Sequence, residues 1–289
     1  MVGGTASTVG AIIIGPRIGR FEKGKVLPIP GHSTVLLVLG YFLLFFGFFA
    51  FNAGSENGIA GDIFHPDRIG RAAVVTALGA SGGFITSLLI YKFGFGRTTY
   101  KLFTKELKFA TIFGGYWCIT GAVNGGLGGM VAICAGCFGY EPWAGFVVGC
   151  IAGATYCLGA HFWLLLHIDD PVNAGPLHLG CGWWGTLACG LFLHGDRYLP
   201  DHPSGGVLYG WDSDAFLFFG IQVIGAATIF AWVAVICTIY FLFMHAIGML
   251  RVTEEEEDEG LDFRNGEPAY PIDPAILEAY LNESRSSAE

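Results

Sequence analysis

Apolar and polar residues segregate into long blocks along this chain instead of alternating. Charge-free intervals cover residues 33–54, 72–91, 112–137, 143–166, 176–193 and 216–249. A bilayer core takes about 20 apolar residues in helical form. Its interior holds no water to satisfy bare backbone, so a single crossing segment must be a helix. The pattern therefore predicts six full membrane-spanning helices. The interval 216–249 exceeds one perpendicular crossing, so it tilts or extends into water. The interval 176–193 is short and rich in glycine. A further apolar stretch, 5–14, is about half a span. It runs into Gly15-Pro16-Arg17 without a basic segment before it, unlike a signal peptide, and reads as the end of a helix whose beginning is absent. The expected fold class is all-α, a polytopic membrane helical bundle with a membrane domain over 1–250.

Composition agrees with the blocks. Hydrophobic residues make up 53% of the 289, charged residues 13%, and mean hydropathy is +0.56. A soluble domain carries about 25% charged residues, so this chain cannot cover a water-facing surface, and it is too apolar to be disordered. The net charge of −9 belongs to residues 251–289, which hold 12 acidic and 3 basic side chains; residues 1–250 hold 12 of each. No basic stripe points to nucleic acid. The threading puts loops 15–32, 92–108 and 167–175 and the tail on one side. That side carries Arg17, Arg20, Lys23, Lys25, Lys92, Arg97, Lys101, Lys105 and Lys108, against Arg68, Arg71 and Arg197 on the other. The positive-inside rule then makes 251–289 an acidic cytosolic tail, since acidic residues contribute little to orientation.

Ionisable groups inside spans are functional candidates by default. His178 sits early in a short charge-free helix. Its neutral imidazole offers one donor and one acceptor, so it can bond a small polar solute or relay a proton; a buried histidine satisfied by a backbone carbonyl is the equal alternative. His161, His167 and His245 lie near span ends and read as interfacial or packing residues. Asp169 and Asp170 precede a helix, where carboxylates cap orphan N–H groups. Phe48 to Ser55 closes a span with aromatic rings and one hydroxyl, a pattern that suits either lipid contact or an aromatic cation gate. Gly125, Gly126, Gly128 and Gly129, and Gly180, Gly182, Gly185 and Gly190, are expected to let helix backbones pack closely. The eight cysteines fall in apolar stretches and read as small packing residues. There is no nucleophile–base pair, phosphate loop or metal-ligand set in the pattern, so neither an enzyme nor a cofactor is expected.

Several of these segments resemble the ammonium transporter family, in its Amt/MEP branch. They are Gly15 to Phe21, Phe51 to Ser55, Asn124 to Cys137 (NGGLGGMVAICAGC), Glu141-Pro142-Trp143, Asp169 to Phe192 (DDPVNAGPLHLGCGWWGTLACGLF) and Glu257 to Tyr270. They follow the family's order across residues 1–270, and the DDP…H…GxWG block is highly specific. The resemblance implies eleven helices per subunit, two sets of five in inverted topology and a long last helix. The six spans here would be helices six to eleven, the second inverted repeat plus that last helix. It implies a homotrimer in the plasma membrane with ammonium or ammonia as substrate. Phe51 would be one of two stacked gate phenylalanines, Ser55 would hold the ion at the outer site, and His178 would be the second of two hydrogen-bonded pore histidines. Asn52, Asp169, Asp170 and Asn173 would be structural residues near the pore.

The departures also matter. The family's other pore histidine, other gate phenylalanine, ion-site tryptophan and a key aspartate belong to helices that are absent. An N-terminally truncated member is therefore expected. Phe48 stands where tryptophan is usual and Asn173 where aspartate is common. The tail signature Leu261 to Glu267 is a residue short and lacks its usual histidine. The alternative function is a non-conducting regulatory subunit that assembles with full-length transporters; a channel for another small solute fits the spans but not the motifs.

Overall fold

Ser33 opens the first long helix by accepting a hydrogen bond from the Leu36 N–H at 3.3 Å, which satisfies one of the bare donors at a helix start. The computed structural model describes residues 1–22, 25–29, 31, 33–55, 66–94, 99–102, 105–108, 115–195 and 204–261. Its helices are α1 (Val2–Ile14), α2 (Thr34–Gly54), α3 (Pro66–Phe93), α4 (Ile119–Ile133), α5 (Pro142–Leu165), α6 (Cys181–Phe192), α7 (Val207–Gly210), α8 (Ser213–Ala246) and α9 (Glu254–Glu259). Two short antiparallel hairpins, β1 (Phe21–Glu22) with β2 (Lys25–Val26) and β3 (Thr99–Leu102) with β4 (Lys105–Lys108), occupy loops. The chain forms two compact units, Met1–Phe243 and Met244–Glu289. In the second, Thr253 and Glu256 close a reciprocal capping box on α9, and Arg251 pairs with Glu257 at 2.8 Å.

The chain is a membrane helical bundle. Among the described residues, α2, α3, α4 with its 3₁₀ extension to Gly136, α5 and α8 are long and apolar enough to cross a membrane. A further helical stretch runs from Gly175 through α6 but is split at Gly180 by a change of winding. Helix α3 starts at Pro66, ahead of Arg68 and Arg71, so those two charges lie within its first turns. Lys23, Arg97 and Arg197 of the loop charges, residues 112–114 and the tail signature beyond Leu261 lie outside the described residues.

Glycine pairs four residues apart set the interior packing. Gly79 and Gly83 of α3 meet Gly125 and Gly129 of α4 and Gly149 and Gly153 of α5. A Cβ at Gly83 would overlap the Gly125 carbonyl, and one at Gly149 would overlap the Gly79 carbonyl. Residues four apart lie on one helix face, so each helix offers a flat strip of bare backbone. Helices in lipid gain no hydrophobic drive from meeting one another, and this close contact replaces it. Ser87 adds a buried hydrogen bond from its hydroxyl to the Gly153 carbonyl at 3.1 Å. Around this contact Val75, Ile133, Val148 and Tyr156 form the main core, and α6 joins it with Gly185 against Ala132.

Helices α2 and α8 are attached differently. Within α2 only Tyr41 and Asn52 are buried, and within α8 only Ala215, Ala226 and Val233. Both leave long apolar faces exposed, including Val35, Phe46, Ile224 and Trp232.

The glycine contact has a direct test. Replacing a helix glycine with a better helix former gains about 1 kcal/mol of propensity, whereas forcing a side chain into a packed contact costs about 1–3 kcal/mol, and more where the clash is with backbone that cannot give way. Gly83→Leu is therefore expected to lower the melting temperature of detergent-purified protein sharply, while Gly225→Leu, which meets nothing within 4 Å, leaves it level or raises it. Equal melting of the two variants would contradict this packing.

Candidate functional site

The segment Gly175–Gly180 (GPLHLG) is wound as a π turn that leads into α6. The Cys181 N–H reaches back five residues to the Pro176 carbonyl, and Pro176 itself has no N–H to offer an α-helical ladder. Such single wide turns recur at functional sites. Three neighbours fix this one. The Asp170 carboxylate accepts the Gly175 N–H at 2.6 Å. Asn173 takes a left-handed backbone, φ 54°, and its carbonyl accepts the Leu177 N–H at 3.0 Å; asparagine is among the few residues that visit this region readily. Gly4 of α1 lies flat against the backbone of His178 and Leu179, with no room for a Cβ.

His178 lines a cavity of about 660 Å³. Phe48 and Phe51 of α2 line it too, with ring centroids 5.9 Å apart and edge-on. Leu43, Val131 and Ile229 make much of the wall apolar; Cys134 and Thr186 add weakly polar groups. The structure thus brings Phe51 and His178, far apart in sequence, to one cavity.

It does not bring the other sequence candidates there. Ser55 ends α2, exposed, with its hydroxyl donating to the Phe51 carbonyl at 2.8 Å. Asn52 is fully buried on the other side of α2, where its side-chain amide donates to the Thr76 hydroxyl of α3 at 3.0 Å and its backbone carbonyl accepts the Cys137 thiol at 3.4 Å. It therefore keys the helix that carries Phe51. Asn173 points its amide at the Tyr156 hydroxyl, 3.4 Å away. Among the described residues no three His, Cys, Asp or Glu side chains gather as a metal site.

The sequence profile of the Ammonium Transporter Family matches residues 1–105 and 107–270. The chain belongs to the ammonium transporter family. Ammonium transporter 1 member 1 of Solanum lycopersicum is 36% identical over 285 residues, covering 93% of this chain and 54% of that protein. The protein of the same name from Oryza sativa subsp. japonica is 38% identical over 289 residues, with 93% and 52% covered. Among solved structures, a Sensor Amt Protein superimposes with a TM-score of 0.74 at 27% identity, covering 92% of this chain and 57% of that one. Mep2 of Saccharomyces cerevisiae gives 0.69 at 26% identity, with 88% and 52% covered. The chain spans about half the length of the curated relatives it matches. The family comprises ammonium transporters, not enzymes, and this member is an integral membrane protein.

In this ammonium transporter family member, the two aspartates before the π turn divide their labour. The sequence pattern suggested helix capping for both. Asp170 caps; Asp169 does not. Its carboxylate, 1% exposed, accepts from Arg17 three times: Nε at 2.7 Å, Nη2 at 2.9 Å and the backbone N–H at 3.0 Å. Arg20 Nε lies 3.2 Å from Oδ1, a charge contact rather than an aligned hydrogen bond. Beside it the Phe21 ring packs on His167 with centroids 5.0 Å apart. Two guanidiniums reach the buried carboxylate before any helix N–H does. This latch ties the loop after α1 to the loop before the π turn. Reading Arg17 and Arg20 only as topology charges missed it. Tyr156 and Cys134 were also missed: a tyrosine and a cysteine in apolar stretches carry no signal that separates contact with a network or a cavity from ordinary packing.

Burial alone would raise the Asp169 pKa; hydrogen bonds and charge from Arg17, with the charge of Arg20, outweigh it and hold the carboxyl below its ordinary value. Removing one partner of a buried ion pair costs about 3–5 kcal/mol. Arg17 is 35% exposed, so water softens the loss and Asp169→Asn is expected at the low end, about 3 kcal/mol. Because the folded carboxyl titrates below the unfolded value of about 3.9, the latch contributes fully above that value and is lost as pH falls through the folded one. Melting curves of wild type and Asp169→Asn should therefore differ at neutral pH and converge in strong acid; a constant gap would rule out the ionised latch.

Proposed function

We propose that the native protein is an ammonium transporter subunit that takes ammonium at an outer aromatic site and passes it through a hydrophobic, histidine-lined pore. The observation that carries this reading is the cavity shared by Phe51 and His178. Family membership and relatives named as ammonium transporters support the substrate class. A bare cation in the membrane core is expensive, so an apolar passage favours neutral ammonia. The cation meets the ring face of Phe51, where the aromatic quadrupole attracts it. Ser55 donates its own proton to the Phe51 carbonyl, which leaves its oxygen lone pairs to accept an N–H from ammonium. Ammonium gives up one proton and crosses as ammonia. The His178 imidazole, one nitrogen a donor and the other an acceptor, relays that proton separately. Asn52, Asn173, Asp169 and Asp170 hold the walls.

The same reading places the protein in the plasma membrane as a homotrimer with a cytosolic tail. The positive-inside bias of the loops supports the orientation. The exposed apolar faces of α2 and α8 suit lipid or neighbouring subunits.

The test is uptake of labelled ammonium by cells stripped of their own transporters. His178→Ala in the native protein is expected to cut uptake by a factor of about 100 or more, the scale of losing a proton-transfer group. Phe51→Ala is expected to weaken half-saturation. Unchanged uptake by His178→Ala at normal surface expression would remove the histidine from the mechanism.

A further inference from the structure

Helix α5 carries three anchors on one face, at positions 148, 152 and 156, and each accepts a hydrogen bond from the segment around the π turn. The Trp184 indole N–H donates to the Val148 carbonyl at 3.0 Å. The Cys181 thiol donates to the Ala152 carbonyl at 3.3 Å. The Asn173 amide donates to the Tyr156 hydroxyl at 3.4 Å. Spacings of four keep the anchors in a line along α5, so the segment before and after His178 is stitched to one rigid helix. Two of the anchors are backbone carbonyls. Tyr156 is the side-chain anchor of the three, and it holds the leading end, where Asn173 turns the chain through a left-handed residue.

Tyr156 is more than a local tie. It is 1% exposed, and its oxygen also accepts the Asn124 amide of α4 at 3.0 Å. Two amide donors therefore converge on one phenol oxygen, which also interacts with the Tyr91 hydroxyl of α3. The oxygen joins α3, α4, α5 and the loop before the π turn. The Tyr156 Cβ and the Cys181 thiol both lie beside Gly128 of α4. A π turn lacks the regular ladder of an α-helix. Its position thus depends on such side-chain ties, and His178 is carried on it.

We propose that Tyr156 is the positioning residue of the pore histidine, its hydroxyl holding the Asn173 end of the π turn so that His178 stands in the cavity. This inference rests on the transport reading above and adds to it a residue that touches neither cavity nor substrate. Removing the hydroxyl frees the Asn173 amide and lets the turn drift, while the outer capture site on α2 is untouched.

The experiment uses Tyr156→Phe in the native protein, with ammonium uptake kinetics and hydrogen exchange of the purified protein read side by side. The expected result is a maximal rate lower by on the order of tenfold, as small misplacements of a reacting group produce, with half-saturation unchanged. Amide exchange of Leu177 to Cys181 should rise while that of Gly125 to Met130 stays at the wild-type level. Asn173→Gly, which keeps the left-handed backbone and leaves the Asn124 bond to Tyr156 intact, should reproduce both effects and serves if Tyr156→Phe does not fold. Unchanged exchange across the turn in a folded variant overturns the proposal. So does a general rise in exchange across α4 and α5 in both variants, which would make Tyr156 a fold residue only. If the wild-type protein moves no ammonium, the transport reading fails, and the exchange data still decide whether Tyr156 holds the turn.

Discussion

Backbone-to-backbone contact between glycines of α3, α4 and α5 is the constraint from which the rest of the structure follows. In lipid, apolar side chains gain little by leaving one apolar medium for another. Gly79 and Gly83 therefore do what a large hydrophobic core does in water: they bring three backbones close enough for dispersion to add up. Once α5 is pinned to α3 through Gly149 and Gly153, its neighbouring face is fixed in space. That face offers the Val148 and Ala152 carbonyls and the Tyr156 hydroxyl to the segment carrying His178.

Polar groups finish what the glycines begin. A buried polar group is costly unless satisfied, and three here serve as ties between segments. Asn52 joins α2 to α3, Asn124 joins α4 to α5, and Asp169 joins the loop after α1 to the loop before the π turn. The ion pair is not a large source of net stability, because desolvation cancels much of the Coulomb gain. Its value is in register: a carboxylate held bidentately by one guanidinium admits a single arrangement of the two loops.

The cavity reflects the same division. Its histidine stands on a turn held from α1, α5 and Asp170, whereas its aromatic rings stand on α2, which is buried only at Tyr41 and Asn52. The histidine side is thus tied to several elements and the aromatic side to few. Phe51 is itself 64% exposed, on a helix whose outer face remains open to lipid or to another protein surface.

Much of the fold was legible along the chain because a membrane imposes one requirement, an uninterrupted apolar run of sufficient length, and that requirement is local. The helical class, the long last helix and the family motifs around His178 could be read from residues in order. Glycine clusters marked close packing along α4 and α6, but not the facing glycines Gly79, Gly83, Gly149 and Gly153 of α3 and α5. What lay beyond the sequence were relations between segments far apart in order. Nothing in order along the chain says that Asp169 meets Arg17 and Arg20 instead of a helix N–H, that Tyr156 gathers Asn124 and Asn173, or that Cys134 borders the cavity with Phe51. Nor does it show that the short apolar segment opens with a π turn, since proline and glycine at its start also suit an ordinary helix opening. Hydropathy is a property of each residue and survives without the fold. Partnership between polar groups depends on distances that exist only after the helices have packed, and the tertiary structure alone supplied them.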